Sequence, residues 1–181
     1  MRRKNISTEM MMDYISQALL LLMRTTPFSA ITIGELTKKA GVNRSTYYRH
    51  FTSKEAVLRY YLASVMEEYQ TRFAAGGSRE YRFYLETMFE SFYARRSDLL
   101  LIHRAGLSHL LMDVLMECFR FKDLPEAEQY RASYHIGGIY SNLLLWFSRD
   151  MRESPEEMTE LALRIRPEKS LTLFGSLSAS P

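Results

Sequence analysis

Apolar residues recur at helical spacing along most of the chain, and no stretch alternates strictly enough to indicate a β-strand. In the first such segment Ile15, Leu19 and Leu22 fall on one helical face, and the segment stops before Pro27. The pattern predicts an all-α chain. Its eight helices are expected over residues 8–24, 32–39, 44–51, 55–73, 79–94, 98–120, 125–150 and 155–165.

The second and third predicted helices are bounded by residues that start and stop helices. Thr32 and Glu35 have the spacing of a capping box, in which the hydroxyl accepts from a first-turn amide and the carboxylate reaches back to the cap N–H. Gly41 can adopt the left-handed conformation that ends a helix, and Asn43 can cap the next one. The segment therefore reads as a helix-turn-helix.

Similar signals precede the later helices. Thr52 with Glu55 has the spacing of a second capping box, and Ser97 can cap the helix over residues 98–120. Ser154 stands directly before a proline, which is favoured at the first position of a helix. We expect a helix to begin after each of these residues.

Charge distinguishes the first third of the chain from the rest. Residues 1–54 contain nine Lys or Arg against three acidic residues, net +6, whereas residues 55–181 carry a net charge of −3. The second helix of the helix-turn-helix has no acidic residue, so a polyanion can approach it without like-charge repulsion. This distribution favours a DNA-binding segment over the alternative, a helical hairpin with a solvated outer face.

The run from Gly41 to Glu55, Gly-Val-Asn-Arg-Ser-Thr-Tyr-Tyr-Arg-His-Phe-Thr-Ser-Lys-Glu, resembles the signature of TetR-type transcriptional regulators. The resemblance covers about residues 7–60. It implies an all-helical homodimer in which a three-helix DNA-binding head is joined by a long fourth helix to a domain that binds small ligands and dimerises. Tyr47 departs from the pattern, because the family more often has an aliphatic residue there.

This resemblance and the breaks in the pattern predict three regions. We expect a helix-turn-helix DNA-binding domain over residues 1–54 and a helical regulatory and dimerisation domain over residues 55–166. Residues 167–181 lack periodicity and are expected to form a loosely ordered tail.

Eight residues are predicted to contact a double-stranded DNA operator. Arg44 and Ser45 begin the recognition helix, where side chains meet base edges and arginine can bind guanine with two hydrogen bonds. The resemblance implies phosphate contacts for Tyr48, His50 and Lys54. The complete set is Thr32, Arg44, Ser45, Thr46, Tyr48, Arg49, His50 and Lys54.

The later helices are rich in aromatic residues and methionine, which could line an apolar cavity for a small-molecule effector. An ordinary hydrophobic core is the alternative for any one of these side chains. The predicted ligand-binding residues are Tyr84, Met88, Phe92, His103, Leu107, Leu111, Tyr134 and Trp146.

Gly137 and Gly138 lie inside the helix predicted over residues 125–150, and each helix-interior glycine costs roughly 1 kcal/mol relative to alanine. A close approach of another helix would offset that cost, and the resemblance implies that the last two helices pair with those of a second copy. An internal hairpin is the alternative. The predicted dimer contacts are Gly137, Gly138, Ser141, Leu145 and Leu161.

Other classes of protein are not favoured. The His residues and the single Cys118 lack metal-ligand spacing, and no phosphate loop or nucleophile motif occurs, so we expect neither an enzyme, a metal nor a cofactor. Without a signal peptide or membrane span in the pattern, we expect a cytoplasmic chain. The predicted function is a homodimeric repressor released by a small molecule. The alternative is a partner-dependent activator whose C-terminal domain docks another protein.

Overall fold

The computed structural model describes residues 2–78 and 80–165, with side chains from residue 8 onward, and all regular elements within them are helical. The all-α prediction is confirmed. The predicted tail over residues 167–181 lies outside the described residues. The helices of this part are α1 Arg2–Met23, α2 Ile33–Ala40, α3 Arg44–His50, α4 Lys54–Ala75, α5 Tyr81–Ala94, α6 Arg96–Arg104, α7 His109–Cys118, α8 Glu126–Ser148 and α9 Pro155–Arg164, with short 3-10 turns at Phe28–Ala30 and Phe121–Asp123.

Helices α1 to α3 and the start of α4 form a trihelical head on one shared core. Ile15 and Leu19 of α1, Leu36 of α2, Tyr47 of α3 and Val57 of α4 are all fully buried. Helix α1 packs against both α2 and α4. Because α1 to α3 alone would leave part of these side chains exposed, the head depends on the first turns of α4.

The long helix α4 continues from the head into the body, where it packs against α5 and α7. Three polar contacts join the two parts. The Tyr60 hydroxyl of α4 donates to Asp13 of α1 at 2.8 Å, while Asp98 of α6 accepts from Arg24 at 3.1 Å and from the Tyr61 hydroxyl at 3.0 Å. The orientation of the head is therefore tied to α4 and α6.

Two predicted helix starts are confirmed. Thr32 and Glu35 form a capping box at α2. Ser154 forms another with Glu157 at α9, and Pro155 takes the first helical position. Each capping box spans only four consecutive residues, so neither depends on tertiary packing.

The predicted box of Thr52 with Glu55 is wrong. Ser53 caps α4 instead, and its hydroxyl accepts from the Ala56 amide at 3.1 Å. Adjacent hydroxyl residues offered two registers one residue apart, and the chain adopts the later one. Asn43 occupies the cap position of α3 as predicted, although its side chain makes no capping hydrogen bond.

The single helix predicted over residues 98–120 is also wrong, because the chain forms α6 and α7 with a turn between them. Gly106 has a φ of 76°, a left-handed conformation that favours glycine. The Leu107 amide then donates to the Ile102 carbonyl at 3.1 Å, a bond that closes a helix end. Apolar periodicity continues on both sides of this turn, so it did not reveal the break.

Two further boundaries differ from the prediction. Helix α1 begins at Arg2 rather than at residue 8, and no glycine or proline in that segment would stop it. Helix α6 begins at Arg96 after the cap residue Arg95, so Ser97 lies inside the helix rather than capping it.

Candidate nucleic-acid interface and ligand groove

Helix α3 presents one face to the core and the other to solvent. Helix α2 ends at Gly41, whose φ of 68° is left-handed, and the chain then turns into α3. Tyr47 and Phe51 face the core of the head and are fully and almost fully buried. The exposed residues of α3 are Arg44, Ser45, Tyr48 and Arg49, with Thr46 and His50 half-buried at the flanks.

The exposed face of α3 is positively charged. It carries Arg44 and Arg49 and no acidic residue, and the last turn of α2 adds the exposed Lys38 and Lys39. Charges of one sign on adjoining helices create a potential that attracts a polyanion. The surface is therefore suited to nucleic acid.

Tyr47 anchors α3 at the cost of a buried polar atom. Its hydroxyl is buried and makes no hydrogen bond with the described residues. Loss of hydration at this position raises the pKa of Tyr47 to about 12. The Tyr47 ring meets the exposed ring of Tyr48 edge-on, with centroids 5.2 Å apart, so Tyr48 rests on a fixed support.

The Arg44 side chain lies against the second residue of α2, Gly34. A Cβ atom on Gly34 would lie only 2.5 Å from Arg44 Nη2. Within the part of the chain that the structure describes, the Arg44 side chain forms no hydrogen bond or ion pair. Its guanidinium is therefore held by packing and keeps its N–H donors for a ligand.

Two of the predicted DNA contacts use their polar atoms inside the head. The amide and hydroxyl of Thr32 donate to Glu35 at 2.8 and 2.7 Å, and these bonds lower the pKa of Glu35. The Lys54 ammonium donates to the carbonyls of Phe28 at 2.5 Å and Ile31 at 2.6 Å, and lies 4.7 Å from the Phe28 ring centroid. In this structure both side chains stabilise the segment that leads into α2.

A groove of about 1020 Å³ lies between α5, α8 and α9. Its floor consists of buried side chains, including Leu85, Phe89 and Met158. It is lined by three of the predicted ligand residues, Met88, Tyr134 and Trp146, and by all five predicted dimer contacts, Gly137, Gly138, Ser141, Leu145 and Leu161. The sequence thus assigned two different roles to one surface.

The other five predicted ligand residues are not brought into the groove. Three are buried in the core: Tyr84, Phe92 and Leu111. His103 Nδ1 lies 2.9 Å from the Ser108 hydroxyl at the turn between α6 and α7, and Leu107 is half-buried in the same turn. The eight residues therefore do not form a single site.

Apolar side chains on the rim of the groove are not covered by other described residues. Tyr134 of α8 is 74 % exposed and Ile165, just beyond α9, is 63 % exposed. Apart from the backbone of α8 itself, no atom of the described residues lies within 4 Å of a Cβ position on Gly137 or Gly138. The rim therefore combines exposed apolar groups with room for the backbone of another helix.

The sequence pattern did not single out His135, which also lines the groove. Its Nε2 lies 3.4 Å from the Tyr84 hydroxyl, and loss of hydration lowers the pKa of His135 to about 4. His135 precedes Ile139 by four residues and Trp146 by eleven, a spacing that places all three on one helical face. This spacing is the sequence signal that could have identified His135 as a residue of the groove.

Among the described residues, no group of three or more His, Cys, Asp or Glu side chains is placed to hold a metal ion. None of the helices in residues 2–78 and 80–165 combines the length and apolar character needed to cross a bilayer.

Comparison with known proteins identifies relatives of both the sequence and the fold. Residues 16–61 match the profile of bacterial regulatory proteins of the tetR family. The fold is similar to that of Thermus thermophilus FadR, described as a TetR family transcriptional repressor in complex with lauroyl-CoA, with a TM-score of 0.54 at 20 % identity over 85 % of this chain and 92 % of that one.

A second similar structure is the fatty acid degradation regulator FadR from Bacillus halodurans. Its TM-score is 0.50 at 16 % identity, over 94 % of this chain and 95 % of that one. At such identities the likeness is one of fold. No protein with a curated description matches the sequence significantly.

Proposed function

We propose that this chain, which is a TetR-type transcriptional regulator, is a homodimeric repressor that leaves its operator when a small molecule binds. The exposed, acid-free face of α3 carries this proposal. A rigid helix that bears hydrogen-bond donors at its first turn is suited to enter the major groove of DNA. A partner of this kind makes the cytoplasm the expected place of action.

We assign base reading to Arg44 and Ser45 at the start of α3. Arginine can donate two hydrogen bonds to guanine, and the donors of Arg44 are free of other described residues. Thr46, Tyr48, Arg49 and His50 surround this position and are proposed to contact phosphates, which supply affinity rather than sequence preference. Thr32 and Lys54 act through the stability of the helices that present these groups.

We assign the groove between α5, α8 and α9 to contact with a second copy of the chain. Its exposed apolar rim and the open space over Gly137 and Gly138 support a helix-to-helix contact about a two-fold axis. A dimer also suits DNA, because two linked heads reading two half-sites bind more tightly than one.

The proposed effector is a small molecule with an apolar body that occupies the floor of the groove beneath the dimer contact. Met88 and Trp146 supply apolar walls, and His135 supplies a neutral imidazole because its pKa is lowered. The Thermus thermophilus relative is described with lauroyl-CoA, which makes that compound a suitable first probe.

Release from DNA would follow from the connections of α4. Tyr60 ties α4 to α1, and Tyr61 ties it to Asp98 of α6. A ligand that changes the tilt of α4 would therefore carry the head with it. Two half-sites can be held only at one separation of the heads, so a shift in that separation lowers operator affinity.

Selection of bound duplexes from a random DNA library tests the central proposal. We expect enrichment of a two-fold symmetric sequence whose half-sites lie about one helical turn, or a multiple of it, apart. A variant with both Arg44→Ala and Arg49→Ala is the matched control and should enrich no sequence. Failure of the unaltered chain to enrich any sequence would contradict the proposal.

Release is tested by adding ligand to the complex of the protein and its selected operator and measuring operator affinity. Lauroyl-CoA should lower operator affinity, whereas coenzyme A without the acyl chain should not. If no ligand releases the DNA and a second protein instead copurifies through the groove, the chain is better described as a partner-dependent activator.

A further inference from the structure

We infer that Gly34 of α2 sets the position of Arg44 and so determines which base pair the recognition helix reads. The inference rests on the proposed base-reading role of Arg44. Gly34 does not contact DNA in this proposal and is a positioning residue.

The contact between these two residues leaves no room for a side chain at position 34. A Cβ atom there would lie 2.5 Å from Nη2, 3.5 Å from Cζ and 3.7 Å from Nε of Arg44. In proteins, Cβ atoms essentially never lie closer than 3.0 Å to such atoms, so either the new Cβ or the guanidinium would have to move. A methyl group at position 34 thus competes for the place that the guanidinium occupies.

Helix α2 cannot be the partner that moves. Its N-terminus is fixed by the capping box of Thr32 and Glu35. Leu36 and Thr37 are buried, and the Thr37 hydroxyl donates to the Ile33 carbonyl at 2.8 Å. The exposed side chain of Arg44 has no such restraint, so a substitution at Gly34 would displace the guanidinium rather than the helix.

Among the described residues, no carboxylate forms an ion pair with Arg44. The positive end of the α2 dipole lies next to Gly34 and disfavours a cation. The carboxylate of Glu35, the residue after Gly34, already accepts from the amide and hydroxyl of Thr32. Packing on Gly34 is therefore what positions Arg44, and the position is lost with the packing.

Base reading is sensitive to such a displacement. Two hydrogen bonds from one guanidinium to guanine require both donors to lie in the plane of the base. Phosphate contacts tolerate more freedom, because they depend mainly on charge. Loss of the Gly34 contact should thus reduce sequence preference and leave nonspecific affinity unchanged.

The test is a set of equilibrium binding measurements on full-length variants. The probes are the duplex selected by the unaltered chain, versions of it with each base pair substituted in turn, and a scrambled duplex. Gly34→Ala should reduce discrimination about tenfold at one base pair. Arg44→Ala should reduce discrimination at that same base pair, and the double variant should be no worse than Arg44→Ala alone.

Arg49→Ala provides the matched control, since Arg49 is an exposed arginine of the same helix and the three atoms nearest to a Cβ on Gly34 all belong to Arg44. The loss of operator affinity caused by Arg49→Ala should add to the loss caused by Gly34→Ala. Circular dichroism melting should show a folded Gly34→Ala head, because alanine is the better helix former. Unchanged affinity for the scrambled duplex would give a second measure of an intact head.

Each outcome separates the inference from the proposed function. If the unaltered chain selects no sequence, the DNA-reading function fails and the inference fails with it. If selection succeeds and Arg44→Ala relaxes one base pair, but Gly34→Ala relaxes none or a different one, only the inference is overturned. Additive effects of Gly34→Ala and Arg44→Ala would overturn it as well.

Discussion

Lys54 occupies the first helical position of α4, where the helix dipole disfavours a positive charge. Its ammonium group reaches the carbonyls of Phe28 and Ile31 in the turn that follows α1. These acceptors offset the unfavourable position and hold the end of one helix against the start of another. The sequence motif indicated a phosphate contact, because partners more than twenty residues away are not visible in a local pattern.

We expect Lys54→Ala to lower the free energy of unfolding by about 1–3 kcal/mol, since two hydrogen bonds from a charged donor are lost, although the Phe28 carbonyl still accepts from the Ile31 amide. Thermal denaturation measures this change. The slope of log affinity for DNA against log salt concentration should stay unchanged. Lys39→Ala, which removes an exposed charge from α2, is the control that should leave stability nearly unaltered. A shallower salt slope with unchanged stability would instead make Lys54 a phosphate contact.

At the scale of helices, the sequence was most informative where a helix end is fixed by its immediate neighbours. Thr32 and Ser154 mark the starts of α2 and α9, and Gly41 marks the end of α2. The exposed face of α3 could be predicted for the same reason. The break at Gly106 could not, because a glycine within a periodic segment is compatible with either a continuous helix or a turn.

The groove lay beyond prediction for a different reason. It forms between α8 and the packed pair of α5 and α9, and Arg82 of α5 pairs with Glu160 of α9 at 2.7 Å across 78 positions of sequence. Aromatic composition predicted a cavity, but not which aromatic side chains would line it. Tyr84 and Phe92 are instead fully enclosed in the core.

The burial of His135 of α8 beside Tyr84 of α5 makes the stability of the fold depend on pH. Burial lowers the pKa of His135 to about 4 from an ordinary 6.5. Between these values the unfolded chain binds more protons than the folded one, so stability is fully present above about pH 6.5 and falls as pH decreases toward 4. We expect a loss of about 2 kcal/mol between about pH 7.5 and about pH 5.

Chemical denaturation of the unaltered chain and of His135→Gln across this range measures the effect. The variant should lose most of the pH dependence, because glutamine does not titrate and the other histidines are the same in both proteins. Equal pH dependence in the two proteins would show that His135 is not the group responsible.

At the scale of the whole molecule, one chain leaves an apolar surface that is unusual for an isolated domain. Tyr134, Leu145, Leu161 and Ile165 are all exposed along α8 and the end of α9. Exposed apolar groups around a concave surface are typical of a contact with another macromolecule. Since the head presents its basic face separately, this surface can join two chains without covering either recognition helix.

Gly138→Leu tests whether α8 joins two copies of the chain. Apart from the backbone of α8 itself, no atom of the described residues lies within 4 Å of a Cβ at this position, so leucine fits the described chain but would occupy the space proposed for a partner helix. Overpacking of this kind typically costs about 1–3 kcal/mol, which should shift the variant toward monomer in analytical ultracentrifugation. Ala127→Leu, an exposed substitution on α8 outside the groove, should leave the dimer intact.

Because the head has its own contacts with α4, the Gly138→Leu monomer should keep its helical circular dichroism and weak nonspecific DNA binding while losing tight binding to a two-half-site operator. A variant that stays dimeric with unaltered operator affinity would exclude Gly138 from the interface and leave the groove to the effector alone.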